Sequence, residues 1–201
     1  CGKTEEDYVD AVEKLGEQPV DMLEINISCP NVKEGGIAFG QVPASAERIT
    51  KAVKKVAKQP VIMKLSPNVT DITVMAKAAE AGGADAISLI NTLTGMKIDI
   101  NRQCFALANK TGGLSGPAIK PIAVRMVYQA ANAVSIPVIG MGGIACAEDA
   151  LEFILAGASA VSIGTANFFN PYAAEETVQG IEAYMREKKV DRLTDLIGIV
   201  K

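Results

Sequence analysis

Hydrophobic residues recur along this chain at two spacings, one typical of amphipathic helices and one of short buried strands. Tyr8, Val12 and Leu15 recur at helical spacing just after the capping pair Thr4 and Asp7, which predicts a first helix. The same spacing predicts six further helices, which begin at Ser45, at Thr70, at Pro117, at Glu148, just after Pro171 and at Asp191.

Five apolar runs lie between these predicted helices. Their length and their content of β-branched residues predict strands rather than helices. They cover residues 21–27, 61–65, 86–90, 138–141 and 160–163, and residues 92–116 are predicted as a long loop. Apolar strands that alternate with helices are typical of a parallel sheet covered by helices.

The predicted strands end in polar or glycine residues, namely Asn26, Lys64, Asn91, Gly142 with Gly143, and Gly164 with Thr165. In a (β/α)8 TIM barrel such residues converge on one mouth, where the βα loops build the active site. A whole barrel needs eight strands and about 250 residues. For an α/β barrel of this kind we therefore expect this chain to cover about the last five βα units, with roughly three units, on the order of 100 residues, upstream.

Composition excludes several classes of protein. The net charge is −3, and no basic block is longer than two adjacent lysines, which argues against nucleic acid as a partner. No apolar run approaches the roughly 20 residues that a membrane-spanning helix needs. The 4 cysteines lie far apart without a CxxC pair, which favours reduced thiols in a cytoplasmic protein over disulfides or a metal site.

Two glycine-containing strand ends are candidate phosphate sites. Gly142 with Gly143 and Gly164 with Thr165 follow the last two predicted strands, where barrels commonly bind a phosphate through backbone N–H groups. The alternative is that these glycines serve only tight βα turns.

Three polar residues end the other strands. Lys64 could extend to solvent, form a Schiff base, or pair with an electron-rich cofactor. Asn26 and Asn91 could each bind a ligand through an amide that both donates and accepts. For both asparagines the alternative is a side chain that caps its own loop.

Cys29 is the candidate base. Histidine is absent from the chain, so acid–base chemistry near neutral pH needs cysteine, lysine, a perturbed carboxylate or a cofactor. Pro30 favours an extended backbone at Cys29, and a thiolate is a natural base or nucleophile. The alternative is a small buried hydrophobic residue, which is how we interpret Cys104 and Cys146.

Three segments resemble class 1 dihydroorotate dehydrogenases: residues 26–32 (Asn-Ile-Ser-Cys-Pro-Asn-Val), 91–93 (Asn-Thr-Leu) and 140–144 (Gly-Met-Gly-Gly-Ile). The resemblance covers essentially the whole chain in order. Its Ser-Cys-Pro-Asn segment is specific, whereas the glycine pair is common to many FMN and phosphate barrels. Residues 91–96 and 98–99 look more like the NAD-linked type B branch than the fumarate-using type A branch.

The resemblance implies one FMN-binding barrel domain over residues 1–201 that oxidises dihydroorotate to orotate in pyrimidine biosynthesis. Cys29 would be the general base that takes a proton from C5 while a hydride leaves C6 for the flavin. Lys64 would stabilise negative charge at the flavin. The other implied cofactor-binding residues are Asn26, Ile90, Gly116, Gly142, Gly143, Gly164 and Thr165, and the implied substrate-binding residues are Asn26, Asn91 and Thr92.

The resemblance also implies an electron-transfer subunit that carries FAD and an iron–sulfur cluster and passes electrons to NAD. A homodimer of this chain would lie within a heterotetramer. The family completes its flavin and substrate sites with upstream segments that this sequence lacks, so we do not expect this chain alone to bind FMN tightly.

Other functions stay open. Another FMN barrel that reduces pyrimidines, such as the corresponding domain of dihydropyrimidine dehydrogenase, is a close alternative. A tRNA dihydrouridine synthase would be expected to have a more basic surface. A Schiff-base aldolase would use Lys64 as its nucleophile, and a truncated barrel without native activity is a non-enzymatic alternative.

Overall fold

The computed structural model describes residues 2–28 and 39–200 of the chain. In this part of the chain the α-helices are α1 (Glu5–Gly16), α2 (Pro43–Val56), α3 (Ile72–Ala81), α4 (Lys120–Ala131), α5 (Ala147–Ala156) and α6 (Ala173–Lys188). The strands are β1 (Leu23–Asn26), β2 (Val61–Lys64), β3 (Ala86–Leu89), β4 (Leu93–Met96), β5 (Ile98–Asp99), β6 (Cys104–Phe105), β7 (Thr111–Leu114), β8 (Val138–Met141) and β9 (Ala160–Ser162). Three 3₁₀ helices cover Pro117–Ile119, Thr165–Phe168 and Leu193–Leu196.

The five predicted strands form one parallel sheet in the order β1-β2-β3-β8-β9. Each new strand joins the edge of the sheet beside the preceding one, and each helix from α1 to α6 packs against the next helix along the chain. All the strands therefore end at the same edge of the sheet, and the loops that follow them lie side by side.

The core lies between the sheet and the helices. Alternate residues of the strands point to this side and are buried, among them Ile25, Met63, Ile87 and Val138. Apolar residues from the helices, including Ile49 and Val53 of α2, complete it. The residues between these strand positions point to the other face of the sheet, which carries Glu24, Asn26, Lys64 and Ser88.

Gly140 of β8 shows how closely the layers pack. A Cβ atom at this position would lie 2.6 Å from Cδ1 of Phe153. Phe153 belongs to α5 and is fully buried, so its ring has no space to move. A residue without a side chain is therefore needed where α5 crosses β8.

The predicted start of α1 is confirmed. The Thr4 hydroxyl accepts a hydrogen bond from the Asp7 N–H, and the Asp7 carboxylate accepts one from the Thr4 N–H, at 3.2 and 3.0 Å. This is the reciprocal capping pair that the sequence predicts.

The predicted starts of the next two helices are wrong. Helix α2 begins at Pro43, two residues before Ser45, and its first residue is preset for a helix by the fixed φ of proline. Helix α3 begins after Asp71 rather than at Thr70, because the Asp71 carboxylate accepts a hydrogen bond from the Thr73 N–H at 2.8 Å. Aspartate is an equally good helix cap.

Residues 92–116 are not the plain loop that was predicted. Strand β4 pairs antiparallel with β7, and β5 pairs antiparallel with β6 between them, so one short ladder is nested inside another. Glycine-rich, weakly alternating strands of two to four residues give little signal in a sequence. We call residues 93–114 the excursion.

The ends of the last predicted helices also shift. Residues 117–119 form a 3₁₀ turn before α4, and the short helix predicted for residues 191–197 is a 3₁₀ turn at Leu193–Leu196. Leu196 is buried against Leu151 and Ile154 of α5. In residues 2–28 and 39–200, every helix falls short of the length and apolarity that a membrane-crossing helix needs.

Candidate active site

A cavity of about 420 Å³ lies at the carboxyl ends of the parallel strands. Such a volume lies in the range of roughly 300–1,000 Å³ that is usual for small-molecule sites. Nine of the candidate residues line it: Lys64, Ile90, Asn91, Thr92, Gly116, Gly142, Gly143, Gly164 and Thr165. Residues predicted from separate strand ends are thus brought to one place.

Asn26 contacts this group from the edge of the sheet. Its Oδ1 accepts hydrogen bonds from the Asn91 side-chain amide at 3.1 Å and from the Ser28 hydroxyl at 3.0 Å. The Asn91 amide also donates to Ser28 Oγ at 2.6 Å. The three side chains form a closed network that joins the ends of β1 and β3.

The remaining groups of Asn91 and Thr92 are also fixed. Asn91 Oδ1 accepts from the Thr92 N–H at 2.7 Å, and the Thr92 carbonyl accepts from the Asn68 amide at 3.0 Å. Asn68 Oδ1 in turn accepts from the Thr94 N–H at 2.9 Å. Asn68 was not predicted as a site residue, since a Pro-Asn pair in a loop indicates only a turn.

Lys64 extends from the end of β2 into the cavity. Its Nζ lies 3.5 Å from Oε2 of Glu24, which belongs to the neighbouring strand β1. The other carboxylate oxygen, Oε1, accepts a hydrogen bond from the Ser88 hydroxyl at 2.6 Å. Glu24 was missed in the sequence, although an acidic residue two positions before Asn26 must share its face of the strand.

The loop after β8 passes close to the loop before α4. Gly142 and Gly143 have φ values of 125° and 81°, which non-glycine residues rarely adopt. A Cβ atom on Gly143 would lie 2.8 Å from the Gly116 carbonyl oxygen and 3.0 Å from the Lys120 backbone nitrogen. Two backbone segments therefore meet at the cavity without an intervening side chain.

Asp149 forms hydrogen bonds with both of these segments. Its carboxylate accepts hydrogen bonds from the Ala145 N–H at 2.9 Å and from Lys120 Nζ at 2.6 Å. Lys120 Nζ also donates to Glu152 at 2.6 Å. Burial acts to raise the pKa of Asp149, but the Lys120 ammonium and the Ala145 N–H outweigh it and hold that pKa below its usual value.

The two carboxylates have the converse effect on the lysine. Hydrogen bonds to Asp149 and Glu152 raise the pKa of Lys120 well above its ordinary value. Lys120 and Asp149 are therefore both charged at neutral pH. Neither residue was predicted, because their meeting depends on how α4 and α5 pack.

The loop after β9 completes the cavity. The Thr165 hydroxyl donates to Ser115 Oγ at 3.3 Å. A Cβ atom on Gly164 would meet nothing within 4 Å, so the backbone there borders open space. Phe169 and Asn170 also line the cavity, and they were not singled out because an aromatic residue in a loop has no specific meaning in a single sequence.

Cys29 lies outside the described residues, so its predicted role as the base stays a prediction. The interpretation of Cys104 and Cys146 as buried residues is wrong, since both are exposed, free cysteines. Cys104 lies in the two-residue strand β6 of the excursion, and Cys146 directly precedes α5. Both are at positions that the core does not reach.

Comparison with known proteins gives a consistent family. The family model for dihydroorotate dehydrogenase matches residues 1–185. The catalytic subunit of dihydroorotate dehydrogenase B (NAD(+)) from Lachnoclostridium phytofermentans is 69% identical over 201 residues, which are 100% of this chain and 67% of that protein. The same subunit from Alkaliphilus metalliredigens is 62% identical over 98% of this chain and 66% of that protein. This chain thus spans about two thirds of the length of these relatives.

The fold has a counterpart among solved structures. The structure of dihydroorotate dehydrogenase from Eimeria tenella in complex with ferulenol superposes with a TM-score of 0.82 and 23% sequence identity. The match covers 99% of this chain and 58% of the other. This likeness confirms the predicted α/β barrel fold class, which the five parallel strands and their helices also fit.

Proposed function

The chain belongs to the dihydroorotate dehydrogenase family, and on this premise we propose that the protein oxidises dihydroorotate to orotate, a step of pyrimidine biosynthesis. The hydride passes to FMN, and the electrons pass on to NAD through a partner subunit. One observation carries the proposal: nine candidate residues from separate strand ends line one cavity of about 420 Å³.

The residues around the cavity fit FMN. A Cβ atom on Gly164 would meet nothing within 4 Å, so the backbone there is open to a ligand, and such glycine-rich strand ends suit a phosphate in barrels. We assign the phosphate and ribityl chain to Gly142, Gly143, Gly164 and Thr165. The isoalloxazine ring is assigned to a second group, which consists of Asn26, Lys64, Ile90 and Gly116.

Each polar residue has a distinct task in this proposal. When bound, FMN supplies the acceptor for the hydride that leaves C6 of dihydroorotate. Lys64 provides a positive charge near the negative charge that develops on reduction. The substrate is oriented by Asn26, Asn91 and Thr92. Before the substrate binds, the hydrogen bonds to Ser28 and between the two asparagines already hold both side-chain amides in one arrangement.

Cys29 is proposed as the general base that removes the proton from C5. The chain lacks histidine. A thiol with an ordinary pKa of about 8.5 is partly ionised to the thiolate close to neutral pH. Ser28, which directly precedes it in the sequence, is 5% exposed and bonded to both site asparagines. The base thus follows directly on a segment that belongs to the site.

The partner is proposed from the relatives alone. They are named catalytic subunits of an NAD(+)-linked enzyme, which supports a separate electron-transfer subunit. We propose that this subunit carries FAD and an iron–sulfur cluster, and that two copies of each subunit form a heterotetramer. A cytoplasmic location is proposed from the scattered cysteines of the sequence.

An absorbance spectrum of the intact protein, in which the segments upstream of this chain complete the flavin site, tests the proposal when dihydroorotate is added anaerobically. Bound flavin that bleaches on addition of dihydroorotate is the expected result. Cys29→Ala should keep the flavin spectrum but slow bleaching by at least about a hundredfold, as is usual for loss of a general base. Cys104→Ala, which changes an exposed cysteine of the excursion, is the matched control and should bleach at the normal rate.

Two results would contradict the proposal. One is an intact protein, with the segments that complete the family's flavin site, that is purified without flavin and is not reconstituted by added FMN. The other is trapping of a substrate on Lys64 by borohydride, which would indicate a Schiff-base aldolase instead.

A further inference from the structure

The five parallel strands carry two charged side chains, Glu24 of β1 and Lys64 of β2. Both point to the face of the sheet opposite the helices, and they are paired, with Lys64 Nζ 3.5 Å from Glu24 Oε2. The Lys64 side chain is 22% exposed and the Glu24 side chain 38% exposed, so water screens the pair only in part and each charge stabilises the other. Lys64 therefore enters the cavity as one half of an ion pair.

Ser88 fixes the position of the carboxylate. Its side chain is fully buried in β3, and its hydroxyl donates to Glu24 Oε1 at 2.6 Å. In the register of the sheet, Ser88 lies opposite Lys64, which lies opposite Asn26. Glu24 thus reaches across β2 from one neighbouring strand to the other, and its two oxygens are divided between Lys64 and Ser88.

A surface ion pair would have a different arrangement. Glu47 and Lys51 also pair, one turn apart on α2, with 37% and 54% of their side chains exposed. Glu24 is as exposed as Glu47, at 38%, but Lys64 is 22% exposed, and the Glu24 carboxylate has a buried hydroxyl as its second hydrogen-bond partner. Charges in such partly desolvated surroundings act on a neighbouring ligand more strongly than exposed ones.

We propose that Glu24 is a positioning residue that directs the Lys64 ammonium and limits the positive potential that Lys64 creates in the cavity. The proposal rests on the proposed binding of FMN there. Reduction adds negative charge to the flavin, so positive potential at the site favours the reduced form. The carboxylate of Glu24 offsets part of that potential and thereby sets how readily the bound flavin gives up its electrons to the next acceptor.

The sign of the effect is specific. Glu24→Gln removes the negative charge, keeps the size of the side chain, and leaves Lys64 uncompensated. The midpoint potential of bound FMN should then rise, by about 30 mV for a two-electron couple if the reduced form is favoured tenfold more than before. Ser88→Ala keeps the charge but removes the hydroxyl that holds the carboxylate beside Lys64. The carboxylate can then turn away from Lys64, so the midpoint potential should also rise, but by less.

Reductive titration of the FMN-loaded protein against reference dyes measures these potentials. Glu47→Gln removes the same charge from the surface pair on α2 and should leave the potential unchanged. A role of Glu24 in stability alone would lower the melting temperature but leave the potential in place. The inference is overturned if the potential of Glu24→Gln is unchanged or lower. If Glu24→Gln does not fold, an unchanged potential in Ser88→Ala overturns the inference instead.

The titration also separates this inference from the proposed function. If the unaltered protein binds no flavin, or if its flavin is not bleached by dihydroorotate, the proposed function itself fails. If the unaltered protein behaves as proposed and the potentials of the variants do not move as stated, the inference about Glu24 fails alone.

Discussion

The side-chain amide of Asn91 donates a hydrogen bond to Oδ1 of Asn26 at 3.1 Å, although the two residues are 65 positions apart in the chain. Asn26 is the last residue of β1 and Asn91 follows β3, and β2 lies between these two strands in the sheet. Since Asn91 Oδ1 is held by the Thr92 N–H, the amide group can point only one way. Both asparagines are thus oriented before a ligand arrives.

Asn91→Asp should damage substrate binding. The change replaces an N–H donor by a carboxylate oxygen that faces the acceptor Oδ1 of Asn26. Loss of a buried hydrogen bond with an unsatisfied partner costs on the order of 1–3 kcal/mol, so kcat/KM for dihydroorotate should fall at least about tenfold. Steady-state kinetics measure this.

The control for this prediction is Asn132→Asp. Asn132 also uses its amide as a donor, to the Tyr128 carbonyl at 2.8 Å, but at the exposed end of α4. Its kcat/KM should stay within about twofold of the unaltered protein, as expected for a surface substitution of under ~0.5 kcal/mol. Equal losses in the two variants would contradict the assigned role of Asn91.

Asp149→Ala should weaken FMN binding. The change removes the hydrogen bond that holds Ala145 and the ion pair that holds Lys120, so the two loops at the cavity lose their common anchor. A loosened phosphate site should raise the Kd for FMN by roughly tenfold, which corresponds to about 1.4 kcal/mol. Flavin fluorescence on titration of apoprotein measures that Kd.

Glu152→Gln is the matched control for Asp149→Ala. Glu152 binds the same Lys120 ammonium at the same 2.6 Å distance, but its side chain is 50% exposed, against 15% for Asp149. Its Kd for FMN should change by less than about twofold, in line with the small contribution of exposed ion pairs. A Kd that rises as much as in Asp149→Ala would show that only the charge of the cluster matters.

Asp85 should contribute to stability in a pH-dependent way. Burial acts to raise its pKa, but Lys54 at 2.6 Å and the Val61 N–H at 2.7 Å outweigh this effect and lower it. A carboxyl with a lowered pKa in the folded state stabilises the fold above its unfolded pKa of about 3.9, and this stabilisation is lost as the pH falls through the folded value.

The measurement compares melting temperatures of Asp85→Asn and the unaltered protein at several pH values. The unaltered protein should be the more stable one at pH 7, and the gap should shrink as the pH falls below about 4. Asp191→Asn, at an exposed position, serves as the control. A gap that widens in acid would show that the sign is wrong.

Gly140→Ala should destabilise the fold. The added methyl group would lie 2.6 Å from Cδ1 of the fully buried Phe153, and overpacking of this kind costs roughly 1–3 kcal/mol. In Gly16→Ala the added methyl group makes only an ordinary 3.5 Å contact, so that variant should melt within about 2 °C of the unaltered protein. Similar melting temperatures for the two variants would contradict the close packing of α5 on β8.

The sequence was sufficient for the features that depend on local pattern. Apolar runs located the five strands, and because parallel strands end at one edge, the residues at those ends, such as Lys64 and Asn91, could be grouped in advance. The structure places them around one cavity. The chemical roles of these residues, and that of Cys29 above all, remain predictions.

Features that depend on packing could not be predicted. Asp149 and Lys120 meet only because α4 and α5 lie side by side, and neither has a local signal. Likewise, the sequence could not decide whether Thr70 or Asp71 caps α3, because aspartate and threonine are almost equally good caps. Glu24 could have been predicted, because it is a charged residue inside an apolar strand and lies on the same face as Asn26.

The nested ladders of the excursion have a consequence for how proteins of this fold diversify. Leu93 pairs with Leu114 at its base, and the flanking residues Thr92 and Ser115 both belong to the wall of the cavity. The two chain ends are therefore clamped at a fixed separation regardless of what lies beyond them. Evolution can lengthen, shorten or replace the outer part of this insertion as a module, while the chemistry at its root stays undisturbed.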